Sequence, residues 1–192
     1  FFIKSLRNRF IDLGGKIVVN KAEKIDPEIK KIILSDNSKC TYDNLIICAG
    51  PWTNELLSSI DVKVDMYPAK GEIIKVEKLN SNLNYHFHGE CSIVERSDGL
   101  IWIAATHNEN EFNSEKTKEA ETELMKKASM LIPEISLSKK IEHTACVRPS
   151  TKNGMPIVKE IIDSSNIYVA TGGGGWGIMQ CFYIGKLIKD LI

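Results

Sequence analysis

The stretch that most limits the fold is Ile167-Tyr168-Val169-Ala170-Thr171, which runs directly into Gly172-Gly173-Gly174-Gly175. An amphipathic segment follows from near Trp176 to the end. Strand, glycine turn and helix together aim backbone N–H groups and a partial positive charge at one spot. Glycines let a ligand approach that backbone with no Cβ in the way. A flexible connector with no ligand is the plainer reading of four glycines alone. The apolar strand before them and the long helix after them favour a binding turn.

A second element stands just upstream. An apolar strand ending at Val147 leads to Arg148-Pro149, where proline turns the chain away. An arginine at a strand end can present a bidentate fork to a carboxylate. A structural ion pair is the commoner role for a single arginine, so both readings stay open. A third element is Ile46-Ile47-Cys48-Ala49-Gly50-Pro51-Trp52, a continuously apolar strand with a small-residue turn. It reads as a parallel strand covered on both faces, over Asn44–Gly50. A helix over Pro51–Ile60 follows. Such a turn is either an ordinary strand-to-helix connection or a place where backbone meets a dinucleotide.

The remaining chain supplies the frame. Phe2, Leu6, Phe10 and Leu13 recur at helical spacing, so a helix is expected up to Leu13, closed by Gly14-Gly15. Short strands are expected at Lys16–Val19 and Lys31–Leu34. The middle is antiparallel, with strands at Val62–Tyr67, Glu72–Glu77 and Cys91–Glu95. Asp98-Gly99 marks a hairpin into Leu100–Ala104. A helix over Glu115–Leu131 buries Ala120, Leu124, Ala128 and Leu131, with Ser114 as cap and Pro133 as stop. A strand over Ile141–Val147 returns to the arginine. The fold class is α/β with an α+β insert: an α/β layer over 1–60, an antiparallel sheet domain over 61–145, and the α/β layer resumed over 146–192. A cleft between two such lobes is a usual ligand site.

Composition narrows the partners. Lys plus Arg equal Asp plus Glu at 25 each, which argues against nucleic acid or an anionic membrane surface. No apolar run is long enough for a membrane span. Five cysteines, without CxxC spacing, indicate neither a disulfide framework nor zinc, and point to a reducing compartment, the cytoplasm. Cys48, Cys146 and Cys181 lie in apolar runs and are expected to be buried. His86 and His88 stand two apart but lack a third ligand, so a solvated or pocket-wall role is expected. His107 and His143 receive no role. No carboxylate pair stands out for acid–base work, as suits chemistry carried by a cofactor.

The ordered set of motifs resembles the D-amino-acid oxidase superfamily of FAD-dependent oxidoreductases, the glycine oxidases within it above all. The matching pieces are Tyr42-Asp43-Asn44-Leu45 on to Trp52, Tyr67-Pro68-Ala69-Lys70-Gly71-Glu72, Cys91-Ser92-Ile93-Val94-Glu95-Arg96, Arg148-Pro149-Ser150-Thr151-Lys152-Asn153-Gly154-Met155-Pro156, and the turn Ala170–Gly177 with its helix. The resemblance implies a Rossmann-like FAD domain, present in part, and an antiparallel substrate domain. It implies FAD as cofactor and hydride transfer from an amino acid or secondary amine to the flavin, with no acid–base residue required. It assigns the substrate carboxylate to Arg148. It assigns the FAD to Ala49, Gly50 and Trp52 and to Gly172, Gly173, Gly174, Gly175, Trp176, Gly177, Ile178 and Met179. The family's GxGxxG unit would precede residue 1, so the chain is expected to be a C-terminal piece, inactive alone. A substrate-orienting tyrosine of glycine oxidases falls on Ser92 and a second arginine on Gly175. Those departures open room for a larger amine. They also keep two alternatives: a dehydrogenase of this fold with another electron acceptor, and a non-catalytic subunit retaining the fold. A homo-oligomer is left open.

Overall fold

The computed structural model describes residues 2–80, 83–163 and 165–192. Helix α1 (Phe2–Asp12) is followed by three short strands, β1 (Ala22–Asp26), β2 (Lys31–Leu34) and β3 (Lys39–Thr41). They form an antiparallel meander. Strand β4 (Leu45–Ile47) leads through a 3-10 turn at Gly50–Trp52 into α2 (Thr53–Leu57). The middle holds β5 (Tyr67–Glu77), β6 (Phe87–His88), β7 (Ser92–Glu95), β8 (Leu100–Ala104), β9 (Asn108–Glu109), α3 (Lys118–Leu131) and β10 (Lys140–Ser150). The chain ends with β11 (Ile157–Glu160), β12 (Ile167–Thr171) and α4 (Gly177–Leu191). No described helix is long and apolar enough to cross a membrane.

Two sheets position the site. The larger is antiparallel in the order β10-β5-β8-β7-β6, with β9 also on β5. Side chains alternate across it. One face carries Ile74, Val76, Ile93, Ile101 and Ile103 against Leu124 and Ala128 of α3, and all are buried. The second sheet is β11-β12-β4, in which β4 and β12 run parallel while β11 is antiparallel to β12. Its core joins Leu45, Ile47, Ile167 and Val169 to Leu57, Val64 and Ile25. The fold is therefore the mixed α/β and antiparallel arrangement that the sequence pattern indicates. The parallel pairing of β4 with β12 joins segments more than a hundred residues apart.

Several expectations are corrected. Lys16–Val19 forms no strand: Ile17, Val18 and Val19 are exposed, and Val19 is 94% so, with no neighbouring strand among the described residues. Val62–Met66 is irregular, and the long strand starts only at Tyr67. Beyond Pro51 the helix is broken into 3-10, α and 3-10 pieces, and Asp61 closes the last of them in the left-handed region. Strand β4 is covered on one face only, since Ile46 is exposed. Helix α3 starts at Lys118, not Glu115, its last residue Leu131 is exposed rather than buried, and its cap is Thr117, whose Oγ1 accepts the Ala120 N–H at 3.2 Å. Cys48 and Cys146 are exposed and Cys181 half-buried, whereas Cys91 is the buried thiol. Cys146 pairs with Gly71 on the sheet face opposite α3, where no layer packs over it among the described residues. Residue 1 of the expected first helix lies outside the described residues.

Candidate active site

The site lies where the two sheets meet. At the carboxyl ends of β4 and β12, Thr171 Oγ1 donates to the Gly50 carbonyl at 3.2 Å, and Thr53 Oγ1 donates to the same oxygen at 2.7 Å. Two turns remote in sequence are thereby clipped side by side. Carboxyl ends of parallel strands are the usual place for a ligand in such sheets.

The glycine turn follows Thr171. Gly172 has φ +80°, and a Cβ there would stand 2.7 Å from Thr151 Cγ2. Gly174 has φ +51°. Gly172 therefore requires glycine sterically, while Gly174 takes a left-handed conformation that glycine adopts without strain. Gly174–Trp176 make one 3-10 turn, and α4 starts at Gly177. Beside Gly175 and Gly177 a Cβ would meet no atom within 4 Å, so open space adjoins the backbone.

Arg148 reaches this turn from the larger sheet. The register pairs Arg148 with Ala69, and Cys146 with Gly71, on the face away from α3. The guanidinium lies over the bare Cα of Gly71, where any Cβ would overlap it. Its Nη1 donates to the Thr106 carbonyl at 3.4 Å, a long contact. No carboxylate among the described residues pairs with it. A half-buried, rigidly backed guanidinium with free donor capacity suits an incoming carboxylate. Gly71 was not singled out from sequence, although a glycine inside a strand is a known sign of close approach.

Two hollows flank the turn, and Arg148 borders both. One, of about 390 Å³, is lined by Cys48, Gly50, Arg148, Gly175 and Ile178. The other, of about 360 Å³, is lined by Tyr67, His107, Arg148, Ser150, Gly174 and Trp176. Gly172 and Gly173 border the second, and Gly173 and Gly177 the first. Ala49 and Trp52 fall elsewhere: they line a groove of about 720 Å³ with Lys21 and Glu55. Trp52 makes an edge contact with Phe112, at 5.8 Å between ring centres. Met179 is exposed and borders neither hollow.

The opposite face of β5 carries a buried polar network unseen in the sequence. Lys70 Nζ lies 3.3 Å from Glu72 Oε1 and 3.4 Å from Glu111 Oε2. Glu72 also accepts from the Thr117 N–H and hydroxyl, each at 2.8 Å, and meets His143 Nε2 at 2.8 Å. Burial alone would raise the Glu72 carboxyl; the Thr117 donors and the Lys70 ammonium outweigh it and hold it below the usual range. The alternation of charged residues in Ala69-Lys70-Gly71-Glu72 was the available signal. His88 Nδ1 meets Ser92 Oγ at 2.6 Å, and the His86 and His88 rings are 5.4 Å apart. Among the described residues no three His, Cys, Asp or Glu gather as a metal site.

The geometry can be set beside known proteins. Glycine oxidase of Bacillus licheniformis is 27% identical over 161 residues, covering 83% of this chain and 44% of the relative. Glycine oxidase of Bacillus subtilis (strain 168) is 28% identical over 151 residues, covering 78% and 41%. The chain thus spans less than half the length of these curated relatives. Among solved structures, glycine oxidase from Geobacillus kaustophilus superposes with a TM-score of 0.82 at 23% identity, covering 90% of this chain and 47% of that one. L-proline dehydrogenase from P. horikoshii gives a TM-score of 0.82 at 16% identity, covering 94% and 51%. These likenesses show the fold. The model of the FAD dependent oxidoreductases matches residues 2–191, and the chain belongs to that family.

Proposed function

We propose that the chain forms the flavin-ring and substrate wall of an enzyme that oxidises the C–N bond of an amino acid or secondary amine. The observation that carries this is Arg148: a guanidinium seated on Gly71, without a carboxylate partner among the described residues, bordering the same hollows as the glycine turn. Family membership supplies FAD as the cofactor. The residues present fit such a group. Gly175 and Gly177 leave open space at the backbone, and the N-terminus of α4 favours a ring edge that gains negative charge. When bound, the flavin supplies the hydride acceptor.

The chain's own residues would divide the remaining work. Arg148 fixes the substrate carboxylate. Gly50, Gly172 to Gly175, Trp176, Gly177 and Ile178 surround the ring. Ala49 and Trp52 line a separate groove, and Met179 is exposed outside both hollows. In this division residues 1–60 and 146–192 serve the cofactor and 61–145 the substrate, with β10 continuous across 145/146. The partner is a small amine or amino acid. All five cysteines are free, which suits a reducing compartment such as the cytoplasm.

The test is Arg148→Ala in the holoenzyme. Truncating one side of a buried charged contact costs ~2–5 kcal/mol, so kcat/KM for an amino acid should fall by that amount. A carboxylate-free amine should lose little. Equal losses for both substrates, or none for either, would remove Arg148 from carboxylate binding. Peroxide release separates an oxidase from a dehydrogenase, the class named for the P. horikoshii neighbour.

A further inference from the structure

Ser150 is 6% exposed, yet its hydroxyl has no hydrogen-bond partner among the described residues. Buried side-chain oxygens are seldom left so, because an unmade hydrogen bond inside a protein is costly. Two further orphans share this condition, Tyr42 Oη and Gln180 Oε1. Two of the three border the glycine turn. Ser150 Oγ lies 3.6 Å from where a Cβ on Gly174 would stand. Gln180 Oε1 lies 4.0 Å from the equivalent point on Gly173. Tyr42 packs instead against the core of β4 and β12.

The strand explains how Ser150 comes to aim there. It follows Arg148 by two positions on β10, so both side chains project from one face. Both line the hollow of about 360 Å³. Arg148 rests on Gly71, while Ser150 faces the turn itself. A serine in that place is a hydrogen-bonding group kept for something that enters the turn.

We propose that Ser150 is a cofactor-positioning residue, whose hydroxyl bonds the carbonyl-bearing edge of the flavin ring. This rests on the FAD reading above. The chemistry of the hydroxyl selects the edge. A hydroxyl can both donate and accept, so it matches an edge carrying carbonyls and an N–H. The methyl-bearing edge of the same ring offers neither. Ser150 thus sets which end of the ring lies at Gly174, and so how the ring is turned relative to Arg148.

The test compares Ser150→Ala and Tyr42→Phe in the full-length holoenzyme. FAD affinity is read by flavin fluorescence quenching, the ring environment by visible absorption, and the apoprotein by thermal unfolding. Ser150→Ala should weaken FAD binding roughly tenfold, the effect of one ordinary hydrogen bond, and shift the flavin bands. The Ser150→Ala apoprotein should unfold at the same temperature or higher, since a buried orphan is gone. Tyr42→Phe should leave affinity and spectrum unchanged. A purely structural Ser150 would lower apoprotein stability and leave FAD affinity and spectrum as they are, and that result overturns the proposal. So do wild-type affinity and spectrum in Ser150→Ala. Failure of the unaltered full-length protein to bind FAD at all overturns the FAD reading itself, a different outcome from a silent variant of a protein that binds.

Discussion

The sheet built on β5 and β10 hides its apolar face under α3, whereas α1 and α4 leave theirs open among the described residues. Ile74, Ile93, Ile101 and Ile103 are completely buried, and Leu124 of α3 is nearly so. Helix α1 buries no residue, and α4 buries only Ile188. Phe182 and Met179 are 67% and 77% exposed. The difference separates two tasks. The antiparallel half supplies rigidity, which Arg148 needs for the carboxylate contact proposed for it. The parallel half supplies a turn whose backbone stays accessible, and its geometry is held by a few clips such as Thr171 to Gly50.

The largest effect should come from the rigid half. Glu72→Ala leaves the Lys70 ammonium buried, with the half-exposed Glu111 as its remaining partner. It also strips the N-terminus of α3 of the acceptor for Thr117. Removing one member of a buried pair costs ~3–5 kcal/mol, readable by urea unfolding. A loss below ~1 kcal/mol would mean that this half does not depend on the network, against the general cost of an unpaired buried charge. The pH dependence follows from the sign of the shift. The folded Glu72 carboxyl is depressed, so its contribution is present above the unfolded value near ~4.3 and is lost as pH falls through the lower folded value. Lys70 is opposite. Burial would lower it, but Glu72 and Glu111 together raise it, so its contribution holds below ~10.4 and fades as pH rises beyond. Glu72→Gln should flatten the acid limb and weaken the alkaline one as well, because it removes one of the two carboxylates that raise Lys70 against its burial.

A smaller loss is expected from the accessible half. Gly172→Ala would put a Cβ 2.7 Å from Thr151 Cγ2 at φ +80°. Backbone strain of this kind costs ~1–3 kcal/mol. FAD affinity should fall with it, because the turn must shift. Unchanged stability with lost FAD would show that the turn is only a ligand cradle. Lost stability with intact FAD would show that it is only a structural corner.

What the sequence disclosed differs between the halves for a physical reason. Local signals were enough for the Asp98-Gly99 hairpin, for α3 as an amphipathic helix, and for the strand–glycine–helix run at the end. They failed where the deciding partner is remote. Helix α3 begins at Thr117 partly because Glu72, 45 positions away, receives that residue's N–H and hydroxyl. Ala22–Asp26 went unseen as a strand because only Ile25 of its five residues is buried, so it shows no alternation. Lys16–Val19 showed the opposite fault: a strand-like composition without a neighbour to accept it. Within the site, Arg148 and the glycines were legible as residue types. The platform of Gly71 and the orphaned Ser150 were not, since both arise from the register of β10 against β5 and the approach of the two sheets.

The smallest effect tests the contrast itself. Phe182 on α4 touches Phe2 edge-on, at 5.8 Å between ring centres, and is otherwise largely exposed. Phe182→Gln should therefore change unfolding free energy by no more than ~1 kcal/mol, the scale of one aromatic pair. Leu124 on α3 is 2% exposed, so Leu124→Ala should cost ~2–5 kcal/mol. Comparable losses from the two variants would mean that the α4 face is as fully covered in the working protein as the α3 face. The contrast would then reflect what lies against each helix, not how the two halves are built. A clear gap between them would leave the rigidity in the antiparallel half, where Arg148 is anchored.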